Sequence, residues 1–167
     1  MNVNRFRKEL CMKPLKFYLI TDTHYFKNSL GAYGEAYEEF MDGEQKCFGE
    51  TQSINEAAFA FLAQDAQADI ILIAGDLSFN GEKESHKAFS KLLHEVQEKS
   101  GKRIYVVTAG HDFNEHPFAY NETGRIEPEG TAFTELYDIF SKKIYAALCN
   151  LNLTMFLIDN PCTSQND

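Results

Sequence analysis

Positive charge is scarce in this chain. Lys and Arg number 16 against 25 Asp and Glu, a formal net charge of −9 over 167 residues. Phosphate backbones are gripped by stripes of Lys and Arg, so a nucleic-acid surface is not expected. Cysteine is also sparse: Cys11, Cys47, Cys149 and Cys162 have no C-x-x-C spacing, the usage of reduced thiols in a cytoplasmic protein. Long apolar runs are missing. None approaches the roughly 18 residues of a membrane span, and the basic start MNVNRFRKELCMK leads into no apolar signal core. No histidine follows position 116. What remains, 44% hydrophobic residues with 13% aromatics, is enough for one folded domain with its own core.

Met12 stands just before the first apolar segment, and residues 1–12 read as a loose extension. Residues 15–21, LKFYLIT, are short, apolar and aromatic, a strand pattern. Residues 25–48 form a long irregular stretch with three glycines among Tyr25, Phe26, Tyr33, Tyr37 and Phe40. A helix is expected over 51–64, with Ile54, Ala58, Phe61 and Leu62 on its buried face. DIILIA, 69–74, is continuously apolar, as a central parallel strand covered on both faces would be. A second helix is expected over 82–100, with Ala88, Leu92 and Val96 in an i, i+4, i+8 stripe beside Phe89 and Leu93, and Gly101 as its C-terminal cap. A third strand covers 102–108, a third helix 131–148 and a last strand 151–158. Alternating strands and helices predict an α/β fold of parallel βαβαβ type. Such sheets bind ligands at the carboxyl ends of their strands.

Three of those ends carry chemistry: LITDTHY with Asp22 and His24, LIAGDLSFNG with Asp76, and VVTAGHDFN with His111 and Asp112. Taken singly, an Asp after a strand caps a helix or makes an Asx turn. Taken together, D-x-H, G-D and H-D at three consecutive strand ends point to a shared cation. Asp22 and His24, two apart, face one side if the chain stays extended. Gly75 permits a tight turn that brings Asp76 close. Carboxylate and imidazole suit Zn²⁺, Mn²⁺ or Fe, and the two oxygens of Asp76 can bridge ions about 3.5–4 Å apart. The reading requires the Asp22 and Asp76 oxygens to lie within about 8 Å of each other. His86 and His94, on the second helix, read as surface or structural residues, and His116 as a loop residue.

On these blocks the sequence resembles the calcineurin-like metallophosphoesterases, whose pattern runs D-x-H, G-D, G-N-H-D/E, then a later histidine and G-H-x-H. TDTHY and AGDLSFNG match the first two blocks, and TAGHD matches the third in part. The segment TDTHY…DGEQKCFGET…AGDLSFNGEKESH looks most like the bacterial cyclic-nucleotide phosphodiesterase-like branch. The resemblance implies a four-layer α/β/β/α sandwich, with residues 13–167 its N-terminal part, and two divalent metal ions of Mn, Fe or Zn type. It implies Asp22 and His24 on the first metal and Asp76 bridging both. His111 would be the general acid, oriented by Asp112. The implied substrate is a small phosphoester, cyclic nucleotides first; protein phosphatases and nucleases share the motifs.

The match has two gaps. Gly110 stands where the family has the Asn whose amide oxygen binds the second metal, and the later histidines have no counterpart. A truncated or frameshifted gene product accounts for the second gap more easily than a diverged short member. The alternative function is therefore a catalytically weak or inactive remnant holding one metal or none. The aromatic segment 25–48 is a candidate for stacking a base, with a structural cover over the sheet as the preferred reading. Half a two-sheet fold would leave apolar sheet uncovered, and either poor stability or a homodimer through that face is expected.

Overall fold

The computed structural model describes residues 15–131 apart from residue 45. Three strands, β1 (Tyr18–Ile20), β2 (Ile70–Ala74) and β3 (Arg103–Val107), form a parallel sheet in the order β1-β2-β3. Its helices are α1 (Glu35–Gly43) and α2 (Thr51–Gln64) between β1 and β2, and α3 (Lys83–Ser100) between β2 and β3. An antiparallel hairpin follows, β4 (Ala119–Asn121) and β5 (Gly124–Ile126). The α/β class with a parallel sheet is therefore as the sequence predicts. The helix expected at 131–148, the strand at 151–158 and the N-terminal extension lie outside the described residues. The second sheet of a four-layer sandwich is not formed among the described residues.

Register explains the core. Tyr18 and Ile20 pair with Ile71 and Ile73, which pair with Ile104 and Val106. This row meets Phe59 and Leu62 of α2 and Phe89, Leu93 and Val96 of α3 in one buried cluster. Gly101, at φ 70, caps α3 through a bond from its amide to Gln97. On the other face Leu72 and Val107 pack against the buried Ile70 and Tyr105, so β2 is apolar on both sides as a central strand requires. β1 is shorter than the predicted 15–21: its one partner among the described residues, β2, starts at Ile70. Leu15, Phe17 and Leu19 alternate outward and stay exposed.

The predicted buried face of α2 is only partly right. Leu62 is buried, but Ile54 and Phe61 are 52% and 65% exposed, and Ala58 is exposed too. The buried stripe is Thr51, Asn55, Phe59 and Leu62. Its first two members are polar because they hold backbone: Thr51 Oγ1 accepts from the Phe26 amide at 3.0 Å, and Asn55 Nδ2 donates to the Thr23 carbonyl at 2.8 Å. The segment 25–48 contains α1 and builds a second core. Phe26, Phe48, Phe79, Ala119 and Tyr120 are buried together, with Tyr37, Phe40 and Phe118 packed against them. The structural reading of that segment therefore holds. No helix among the described residues is long and apolar enough to cross a membrane.

Glu82 precedes α3, is fully buried, and has both carboxyl oxygens without a hydrogen-bond partner. Burial pushes its carboxyl from 4.5 up to about 7. Between those values the folded state holds a proton that the unfolded state has released, so stability falls as pH rises through this window and levels off above it. Glu82→Gln cannot ionise. Urea unfolding of the variant and the parent at matched pH should show equal stability near pH 4.5, with the variant's advantage growing to roughly 3 kcal/mol above pH 7. Buried His86, lowered to about 4 by desolvation, titrates with the opposite sign in both proteins and cancels in the comparison. A difference independent of pH would contradict the assignment.

Candidate metal centre

The exits of β1 and β2 run side by side. The amides of Asp22, His24 and Tyr25 donate to the carbonyls of Gly75, Asp76 and Leu77 at 3.2, 2.9 and 2.8 Å, and the Phe79 amide returns a bond to Tyr25 at 3.2 Å. Thr21 and Thr23 add hydroxyl bonds to the Ala74 and Leu77 carbonyls. This lacing holds Asp22, His24 and Asp76 at φ 56, 40 and 50, the only non-glycine residues with positive φ among those described. Each such conformation costs about 1–3 kcal/mol and persists where neighbours over-determine it. The chain at Asp22 and His24 is thus not extended, contrary to expectation, because both residues turn into the left-handed region to meet the second exit.

The convergence itself is as expected. One ligand atom from each of Asp22, His24 and Asp76 lies within 4.8 Å of the others, well inside the limit set above. Gly75, at φ 86, makes this possible: a Cβ there would stand 2.5 Å from that of Ala109. His24 Nε2 is 3.5 Å from Asp22 Oδ1, and Nδ1 is buried with no hydrogen-bond partner. Two carboxylates and an imidazole with an unbonded nitrogen fit the donor set of a Zn²⁺, Mn²⁺ or Fe site. The Thr21 hydroxyl, 2.7 Å from Asp22 Oδ2, holds that carboxyl below its usual range, and His24 and Asp76 reinforce it. Burial holds the His24 imidazole below its ordinary value, and the charge of Lys46 lowers it further.

His111 and Asp112 leave β3 in a short 3-10 turn. The His111 amide donates to Asp76 Oδ1 at 3.2 Å, and the ring stands edge-on to His24 with centroids 4.9 Å apart. His111 Nδ1 lies 3.1 Å from the Phe79 carbonyl. A carbonyl only accepts, so Nδ1 carries the proton and Nε2 is left to exchange one. Asp112 is fully buried, and its carboxylate accepts from three amides: Leu77 and Ser78 on Oδ1 at 2.8 and 2.9 Å, and Ala109 on Oδ2 at 2.8 Å. It therefore acts on the loop that carries His111, while the ring itself is held by Phe79. Burial raises its carboxyl, and these three bonds oppose the shift. His86, buried against the Asp112 carbonyl at 3.0 Å, is structural. His116 is exposed and paired with Glu127, apart from the cluster.

A cleft of about 330 Å³ opens beside His111, lined by Asn80, Gly110, His111, Phe113 and Asn114. Asn114 Nδ2 donates to Asn80 Oδ1 at 3.1 Å across it. Asn80, Phe113 and Asn114 were not read from the sequence as part of the site, nor was Lys46, whose Nζ lies 5.5 Å from the Phe79 ring centre. The Asn80-Gly81 pair after the second exit was the available signal for a turn lining the site. Nothing in the sequence marked Lys46, since a lysine in a loop is ordinary. The hairpin was missed too, although Asn121 and Gly124, at φ 109, flank its two-residue turn.

Comparison with known proteins agrees with this geometry. Residues 15–157 match the family model described as calcineurin-like phosphoesterase. No curated protein matches the chain.

The three-amide bracket makes a stability prediction. Asp112→Asn puts an NH₂ where an amide N–H must be accepted, leaving at least one buried donor unpaired. The loss should be about 2–4 kcal/mol, read as a lower urea midpoint at unchanged m-value. An unchanged midpoint would mean the bracket is not needed.

Proposed function

Because the chain belongs to the calcineurin-like phosphoesterase family, whose chemistry is metal-dependent phosphoester hydrolysis, we propose that it cleaves small phosphodiesters, cyclic nucleotides first. The observation that carries this is the convergence of Asp22, His24 and Asp76 within 4.8 Å beside His111. A divalent cation held there lowers the pKa of a bound water and screens phosphate charge. The protein's own part is positional. Asp22 and Asp76 supply anionic oxygens from two laced loops. His111, its Nδ1–H held by the Phe79 carbonyl, would donate from Nε2 to the leaving oxygen when the ring carries a second proton. Asp112 keeps that loop in register with Asp76.

The choice of small diesters has its own support. The cleft beside His111 has the volume of the smaller ligand sites, which begin near 300 Å³. The net charge of −9 disfavours a polynucleotide. The cyclic-nucleotide preference rests on the resemblance of the TDTHY and AGDLSFNG segments. Base stacking by the aromatic segment does not contribute to it, because Phe26 and Phe48 are fully buried and Tyr25 nearly so.

A second reading, a weak or inactive member with one metal, is favoured by Gly110, which offers no side chain where the resemblance places a ligand. Three ligands cannot fill two coordination shells.

Purified with Mn²⁺, the protein should hydrolyse cyclic AMP and bis(p-nitrophenyl) phosphate. His111→Ala should lower kcat about 10²–10⁴-fold with metal content unchanged. Activity that survives Asp76→Asn would remove the proposed centre. Gly110→Asn is expected to fold normally, because a Cβ at Gly110 meets no heavy atom within 4 Å. Elemental analysis of that variant should show more metal per chain than the parent. An unchanged content would show that Gly110 does not limit occupancy.

A further inference from the structure

The charge count at the centre is short by one. Asp22 and Asp76 together neutralise a single divalent cation, and buried Asp112 adds a further negative carboxylate nearby. A phosphodiester is itself an anion, so the site needs another positive group to hold it. Lys46 is the cationic side chain that the fold delivers there. Its ammonium stands 5.5 Å over the face of Phe79. The Phe79 ring is 6.2 Å from the His24 ring, and the Phe79 carbonyl holds His111. The charge of Lys46 is felt at His24. Among the described residues no ion pair joins Lys46 to a carboxylate.

Its place is built. The Lys46 amide donates to Glu44 Oε1 at 3.1 Å, and its carbonyl accepts from the Phe48 amide at 2.8 Å. Phe48 is fully buried and stacks 4.2 Å from Phe79. The lysine therefore hangs from the aromatic core, over the residue whose ring stands edge-on to His24 and whose carbonyl holds His111. We infer that Lys46 is the anion clamp of this centre, its ammonium binding a non-bridging oxygen of a phosphodiester or phosphate monoanion. The inference rests on the phosphoesterase reading but concerns binding, which needs no turnover.

The test uses Lys46→Met, which keeps the apolar stem and drops the charge, and Lys46→Arg, which keeps the charge. Inorganic phosphate is titrated calorimetrically into the Mn²⁺-loaded full-length chain. Lys46→Met should weaken phosphate binding about tenfold, equivalent to about 1.4 kcal/mol, and Lys46→Arg should stay within about threefold of the parent. Mn²⁺ affinity should be undiminished in both. With substrate, Lys46→Met should raise KM for an anionic diester and leave that for a neutral aryl phosphotriester unchanged. Parent-like phosphate binding by Lys46→Met, equal losses in both variants, loss of Mn²⁺, or no phosphate binding by the parent would each overturn the clamp. If phosphate binding depends on Lys46 while no diester is cleaved, the hydrolase reading fails and the clamp stands. If diesters are cleaved and Lys46→Met is silent, the reverse holds.

Discussion

The carboxylate of Asp112 accepts the amides of Leu77, Ser78 and Ala109, and by doing so fixes the distance between the exits of β2 and β3. Asp76 sits one residue before the first of those amides, and His111 one residue before the carboxylate. Their separation is thus set by one buried carboxylate bonded to backbone amides and not by the reach of exposed side chains. The first exit is then laced to the second, and three residues are held in left-handed conformations they would not adopt alone. Such a bracket is an electrostatic commitment: its three bonds are strong because the group is buried, and its burial is tolerable because the bonds are made.

The long periodic elements were legible in the sequence. α2, β2, α3 and β3 fall within a residue of their predicted bounds, since apolar runs and Gly101 mark them unambiguously. The site residues Asp22, His24 and Asp76 were also legible as a group, because chemistry at three strand ends is hard to arrange otherwise. Local geometry was not. Extended backbone at Asp22 and His24 was the natural inference from D-x-H, but the hydrogen bonds that turn both residues come from a segment about fifty positions away. The stripe of α2 was misread for a related reason. Thr51 and Asn55 look like surface residues until the loop they support is placed beside them. Asp112 is adjacent to His111, but two of its three amide partners, Leu77 and Ser78, lie more than thirty positions back.

The aromatic core beside the sheet links these observations. Phe79 belongs to the second exit, yet its ring packs on Phe48 and Phe118 and its carbonyl on His111. The segment between β1 and α2 consequently packs with the β4–β5 hairpin into a scaffold for the mouth of the site. Its polar consequence, the position of Lys46, follows from apolar packing.

The order of the strands along the chain also governs how the centre comes into being during synthesis. β1 emerges first and, among the described residues, pairs with β2 alone, and the bracket closes only when Asp112 has been made, some ninety residues after Asp22. At translation speeds of about 5–20 residues per second this is a wait of roughly 5–20 s. For about the first fifty residues of it Asp22 and His24 lack the carbonyls of Gly75 and Asp76 that turn them. The first two exits can therefore lace as soon as β2 is made, whereas the spacing of Asp76 and His111 waits for β3.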